Sequence, residues 1–467
     1  MFPSSKRSQF WTFFLCFFAA AALLCTGLLL YRTGLRGESV TAVFYAAMLF
    51  LALCYFSAND TRAYFCLIVL ISAFCLVYIS TGDIFSVVDE AAHYYNIHYI
   101  LASGHLPNMN IDPAYYEAVQ PPVYYWVCSL LCLPISDKLT RIFLLRGFSF
   151  LLWWGCVYLT LCVLRLLERE QVISIRPARD LALLLLFWAT PGTLVRFSTV
   201  SNEALAVLFS TAALFFMINF LFYHSSFRSL ILSVLFISLS CLTKITALFL
   251  LAPLLCILLS LRKGKLFFPC LAAVLLALIP WFCYNWYLYG AFTGTAQHLS
   301  YVLPLVNPSA APVRLLPGLM SFLSSYFYPT EAAANGWILL LLRSSGFLAF
   351  LALLALSFPT FLYGIRLLKG RFEESKEGRR SVIFLFAALA VAGNLTVLIF
   401  GTLTSRVDVL LGRYFYHSAL PLTLLCALGQ EKLSQKLSSF LRAGICSFVA
   451  VLQVNVLQQF FLAFLSR

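Results

Sequence analysis

Charge is what this sequence has least of. Asp, Glu, Lys and Arg together make up 11% of its 467 residues, under half the roughly 25% of a soluble domain. That scarcity excludes a single soluble enzyme and a disordered chain, both of which need a hydrated, charged surface. There is no CxxC and no Cys/His group at zinc-site spacing, so neither a zinc ribbon nor a dithiol redox motif is present. The 15 cysteines, among them Cys16, Cys25, Cys75, Cys128, Cys162 and Cys426, all sit inside apolar runs. They read as small buried hydrophobes rather than a secreted disulfide scaffold. No basic stretch interleaved with aromatics stands outside the apolar segments, so the net charge of +14 does not point to nucleic acid. The first apolar run, 10–31, follows Lys6 and Arg7 but has no small-residue cleavage site, and reads as a retained helix rather than a signal peptide.

What is abundant is apolar surface: 62% of residues are hydrophobic and 16% aromatic, and the mean hydropathy is +0.91 over the whole length. This predicts an all-α polytopic membrane protein. A span needs about 20 apolar residues. The runs 10–31, 40–58, 64–80, 143–164, 181–196, 203–223, 228–243, 245–261, 267–287, 345–365, 381–401, 414–428 and 443–465 make about 13 transmembrane helices. The stretch 121–136 opens with two prolines and is too short to span, so it is expected as a juxtamembrane or re-entrant helix. With the N-terminus in the cytoplasm, 20 of the 32 Lys and Arg fall in inner segments, and the two sides carry +12 and +2. That asymmetry follows the positive-inside rule, against which Arg32 and Arg36 in the first outer loop count weakly. Two outer loops, 81–142 and 288–344, are long, rich in Tyr and Pro, and expected to be folded. Chemistry is therefore expected on the outer face.

The first outer loop carries Asp89, Glu90 and His93 directly after the third run. On a helix, Asp89 and His93 lie at i, i+4 and Glu90 and His93 at i, i+3, sharing one face. That spacing suits a base with its partner or half a metal site. It equally suits a solvated first helical turn, where the helix dipole favours acids. The order is not HExxH, so zinc is not implied. Further along, Glu117 and Gln120 precede Pro121 and Pro122, and a helix is expected to begin there with Tyr124, Tyr125 and Trp126. Those three aromatics fit an interfacial belt. Arg146, Asn202, Glu203, Lys244 and Arg413 interrupt apolar runs near their outer ends. Ionisable residues at such depth default to a functional reading, with snorkelling or capping as the alternative. Their shared side suggests a cavity suited to a phosphorylated lipid.

In order along the chain stand D-E at Asp89–Glu90 with His93, E-x-x-Q-P-P-x-Y-Y at Glu117–Tyr125, S-N-E at Ser201–Glu203, K-x-T-A at Lys244–Ala247 and G-R-Y at Gly412–Tyr414. In these the chain resembles the membrane-embedded GT-C glycosyltransferases, in the bacterial branch related to protein O-mannosyltransferases and lipid A aminoarabinose transferases. The resemblance covers 64–428, leaving 1–63 as an N-terminal addition and 429–467 as a C-terminal helical segment. It implies a bacterial inner-membrane enzyme that moves a sugar from a polyprenyl-phosphate donor to an acceptor hydroxyl on a glycan, lipid or protein, with inversion. In that family an acidic residue of the first outer loop is the general base, or helps to bind a metal in some branches. Asp89 matches it, with Glu90 second, and Asp89, Glu90 and His93 would be the ligands of any divalent metal. Arg146, Lys244 and Arg413 would neutralise the donor phosphate, an electrostatic role with physical grounds of its own. His93, Glu117, Gln120, Asn202, Glu203 and Tyr414 would bind substrate or support. Glu203 stands where the family commonly has Asp, and 288–344 offers no motif to align. A transporter or flippase would need paired broken helices in two halves, and none is evident. A ligase or polymerase of lipid-linked glycans would share the outer cavity but not the D-E-bearing loop.

Overall fold

Several helices of this chain start where a capping side chain or a proline opens an apolar run. In a computed structural model, residues 89–174, 183–184, 186–223, 226–306, 376–405 and 412–430 are described, together with Ile79, Ile84 and Tyr326. Among the described residues the secondary structure is helical and no strand occurs.

Helix α1 (Glu90–Ser103) opens the described part of the first outer loop. It stops at Gly104, whose φ of 72° lets its N–H return to Ile100 O, a conformation that favours glycine. A 3-10 segment, Pro113–Val119, follows, opened by the Asp112 carboxylate accepting the Ala114 N–H at 2.8 Å. Next come α2 (Val123–Cys132) and the long α3 (Lys138–Arg169), whose Asp137 cap accepts from the Thr140 N–H and hydroxyl, both at 2.7 Å. A short α4 (Pro191–Arg196) leads into α5 (Asn202–Phe222) and α6 (Phe227–Cys241). The 3-10 segment Ile245–Leu250 runs into α7 (Leu251–Ser260), followed by α8 (Phe267–Tyr289) and α9 (Thr295–Val306). Finally α10 (Lys376–Ser405) precedes the 3-10 segment Gly412–Ser418, which continues as α11 (Ala419–Gln430).

Four stretches are long and apolar enough to cross a membrane: Lys138–Arg169, Asn202–Phe222, Gly264–Tyr289 and Lys376–Leu403. They fall on the expected spans 143–164, 203–223, 267–287 and 381–401, and the chain is a helical membrane protein. The short helix expected within 121–136 is α2. The runs 10–31, 40–58, 345–365 and 443–465 lie outside the described residues, as does 64–80 apart from Ile79. Four expected spans take a different form. The run 181–196 bends at Ala189–Thr190, where Thr190 caps α4 and Pro191, lacking an N–H, begins the new helix. The run 228–243 is the 15-residue α6. The runs 245–261 and 414–428 start as 3-10 turns before becoming α-helical.

Helix α5 is the centre of the bundle, packed on α3 and α6, while α10 packs on α7, α11 and the 245–250 segment. Some 61% of the apolar stretch of α5 is buried against 22% for that of α8, so α8 lies at the periphery. Small residues allow close approach between membrane helices. A Cβ built on Gly155 of α3 would lie 2.8 Å from the Leu208 side chain of α5. Among the described cysteines, Cys128, Cys132, Cys156, Cys241, Cys256, Cys270 and Cys426 are buried and free, Cys162 is half-buried, and Cys283 is exposed.

Candidate active site

Asp89 occupies the N-cap position of α1 but caps nothing: its φ of 71° and ψ of −9° turn the side chain away from the helix. The carboxylate instead accepts the Tyr116 hydroxyl at 3.1 Å and pairs with Arg413 Nη2 at 3.0 Å. Burial works to raise its pKa, but the Arg413 guanidinium and the Tyr116 bond outweigh this and hold Asp89 below the usual carboxylate range. It is ionised at neutral pH.

Its neighbour points elsewhere. Glu90 is fully buried and bidentate with Arg146, Nε to Oε1 at 2.8 Å and Nη2 to Oε2 at 2.9 Å, and it also accepts the Val200 N–H at 2.9 Å. Arg146 further donates to Ile79 O at 3.2 Å. Expected as a second base and a phosphate ligand, Glu90 and Arg146 are found paired with each other, a strut between α1 and α3.

Arg413 lies in the Gly412–Ser418 segment and also bonds the Tyr414 hydroxyl at 2.8 Å. Lys244 Nζ sits 4.1 Å from the Tyr414 ring centre, and the Arg413 Cζ 4.8 Å from the same ring. Lys244 bonds Glu203 Oε1 at 2.8 Å. Glu203 Oε2 faces Arg196 Nε at 3.4 Å. Asn202 donates to Thr243 O at 3.5 Å, tying the start of α5 to the residue before Lys244. Asp89, Arg413, Tyr414, Lys244, Glu203 and Arg196 thus form one continuous polar chain. Arg196 was not expected; the signal was a cation ending an apolar run. Tyr116 was not expected either, and Tyr125 was read as a belt aromatic rather than as a partner of His93.

His93 Nδ1 lies 3.0 Å from the Tyr125 hydroxyl, which itself donates to Glu117 O at 3.2 Å. Burial pushes the imidazole down to about 4, so it is neutral at physiological pH. Tyr124 and Tyr125 are buried and only Trp126, half exposed, fits the expected interfacial belt. The side chain of Glu117 is buried and, among the described residues, makes no hydrogen bond or ion pair. Burial and then the charge of Asp89 push its carboxyl up to about 8. Gln120 ends the 3-10 segment by bonding back to Glu117 O at 3.1 Å through its own N–H, and its side chain makes no bond to the chain of ion pairs.

The second outer loop reaches this cluster through α9. His298 Nδ1 bonds Tyr116 O at 2.9 Å, and Tyr301 stacks on the Tyr116 ring at 5.5 Å. A divalent metal does not fit the residues proposed for it. Asp89, Glu90 and His93 turn to three separate partners, and no group of three or more His, Cys, Asp and Glu among the described residues is arranged to hold one. No step is therefore routed through a metal.

No family model matches the chain, and no curated protein or solved structure matches it.

Proposed function

We propose that the chain is a GT-C-like glycosyltransferase of about 13 transmembrane helices in a bacterial inner membrane, its N-terminus cytoplasmic and its active site on the outer face. The donor is a polyprenyl-phosphate sugar and the acceptor a hydroxyl of a glycan, lipid or protein. The observation that carries this reading is the meeting of the half-buried Asp89–Arg413 pair and the buried Arg196–Glu203–Lys244 group around the Tyr414 ring. Among the described residues the site's three cations, Arg196, Lys244 and Arg413, outnumber its two carboxylates, Asp89 and Glu203, which suits an anionic ligand, and intramembrane charge is kept where it has work to do.

Lys244, Arg413 and Arg196 hold the donor phosphate, with Arg196 in the place first given to Arg146. The acceptor oxygen attacks the anomeric carbon opposite the phosphate. The C1–O bond breaks, its electron pair stays on the phosphate, and the acceptor proton passes to Asp89. In the free site Arg413 is the counter-ion of Asp89. When the donor phosphate takes up those N–H groups, the carboxylate loses its partner and becomes a stronger base. Donor binding thereby readies the base.

The test is purified protein in nanodiscs mixed with a panel of polyprenyl-phosphate sugars, each donor followed by mass spectrometry. Asp89→Asn is expected to slow donor consumption by roughly 10²-fold or more, as loss of a general base does, while leaving donor binding intact. Binding without breakdown of any donor would favour transport, and breakdown unaffected by the mutation would remove Asp89 from the chemistry.

A further inference from the structure

Glu117 is a buried carboxyl beside this cluster that the mechanism above does not use. It sits on the 3-10 segment next to Tyr116, which bonds Asp89, and its backbone oxygen anchors Tyr125. Its side chain is 7% exposed and, among the described residues, has no hydrogen bond or ion pair. The charged and titratable groups acting on it are Asp89, Glu203, Lys244 and Arg413. Tyr116, Tyr125 and Tyr414 also feel its charge, Tyr125 while bonding its backbone oxygen and the His93 ring. From α9, His298 and Tyr301 reach Tyr116.

An ionised carboxylate buried with no partner of its own costs several kcal/mol. Asp89, already ionised nearby, adds like-charge repulsion. Both effects keep Glu117 protonated at neutral pH. A carboxylic acid kept neutral by its surroundings is a hydrogen-bond donor rather than a base.

We propose that Glu117 is a catalytic residue that, as the neutral acid, donates a hydrogen bond to the phosphate oxygen leaving the donor sugar. This rests on the glycosyltransferase reading and deepens it. The segment that carries Glu117 meets the site at Tyr116, which bonds Asp89, itself paired with Arg413 at 3.0 Å, and the charges of Lys244 and Arg413 act on the Glu117 carboxyl. In the reaction the acceptor oxygen–C1 bond forms and the C1–O bond to phosphate breaks. The electron pair goes to the phosphate oxygen and the acceptor proton to Asp89. Glu117 keeps its own proton, shared in a hydrogen bond that strengthens as charge builds on that oxygen. An ionised Glu117 would repel the same phosphate.

The full-length protein in nanodiscs, titrated with a polyprenyl-phosphate sugar between pH 6 and 9.5, tests this. That probe is a phosphodiester with one charge across the whole range, so the ligand itself does not titrate. Only the protonated form binds well, so the affinity follows the protonated fraction of a group titrating at about 8. Kd is expected to be flat below pH 7 and about tenfold weaker at pH 9. Glu117→Gln keeps an N–H donor and removes the titration, so its Kd is expected to be independent of pH and donor consumption to persist at pH 9. Wild-type affinity equal at pH 7 and 9 would overturn the proposal without any variant. A Glu117→Gln protein that keeps the tenfold loss would also overturn it, assigning the loss to another group such as Lys244. Donor consumption that rises through pH 8 would make Glu117 a base instead. Failure of the wild type to bind the donor at every pH would sink the glycosyltransferase reading and this proposal together.

Discussion

A non-glycine residue in the left-handed region is uncommon, and one held there at the mouth of a polar cluster stores strain that its surroundings must offset. Asp89 is such a residue, and the offset comes from Tyr116 and Arg413. Replacing Tyr116 by Phe removes one hydrogen bond from the carboxylate while leaving the ring to stack on Tyr301. A hydrogen bond to a charged group contributes about 1.5–3 kcal/mol, so the loss changes the proton affinity of Asp89 enough to read in the rate. The sign of the pH effect follows from the same bond. Tyr116 helps hold the pKa of Asp89 down, and a carboxylate must be ionised to accept a proton. Without Tyr116 the acid limb of the rate profile moves to higher pH, as a pH–rate series on Tyr116→Phe would register. A profile shifted to lower pH, or an unchanged rate, would leave the Tyr116 bond without function. Asp89 itself was legible in the sequence because adjacent acids after an apolar run are rare. The environment that sets its proton affinity was not, because Tyr116 and Arg413 are far apart in the chain.

Each of the three cations of the cluster sits where a helix is interrupted. Arg196 ends the short α4 just after the bend at Ala189–Thr190, Lys244 precedes the 3-10 segment Ile245–Leu250, and Arg413 lies within Gly412–Ser418. Irregular backbone at membrane depth is tolerated only where protein or a polar cavity satisfies it. Hydropathy along the sequence locates α3, α5, α8 and α10 because burial of whole helices depends on summed apolar area. It passes over these breaks because a 3-10 turn and an α-turn of the same residues have the same hydropathy. It also misassigns Tyr124 and Tyr125, whose inward direction is set by how α2 lies on α1. The Glu90–Arg146 strut joins α1 to α3 and yields an element-scale prediction. Removing one partner of a buried pair leaves an uncompensated charge and costs about 3–5 kcal/mol, whereas replacing both by apolar residues of similar size is often close to neutral. Arg146→Met alone is therefore expected to lower thermal stability and yield sharply, and Glu90→Leu with Arg146→Met to recover much of both. A stable single mutant defective only in donor binding would return Arg146 to the phosphate site.

At the scale of the whole molecule, α3 separates two groups of charged residues along its length. Arg146 near one end is joined to Glu90 of the outer-loop helix. At the other end the Glu170 carboxylate bonds Arg379 of α10 at 3.0 Å, and Arg380 donates to Val172 O at 2.7 Å. From Arg146 to Glu170 at 1.5 Å per residue is about 36 Å, more than the roughly 30 Å of a bilayer's hydrocarbon core. The active-site cluster and the start of α10 are thus a full membrane thickness apart along one helix. The end away from the cluster gathers Arg165, Arg169, Arg379 and Arg380, the excess of cations expected of a cytoplasmic face. Cysteines introduced at Ser103, which ends α1, and at Ser375, which precedes α10, are therefore expected to react with a membrane-impermeant thiol reagent from opposite faces in a cysteine-free background. Ser103 should label in intact cells and Ser375 only after the membrane is opened. Labelling of both in intact cells would place the cluster and the basic end on one side, and an enzyme using a lipid-linked donor at the outer face would no longer fit this chain.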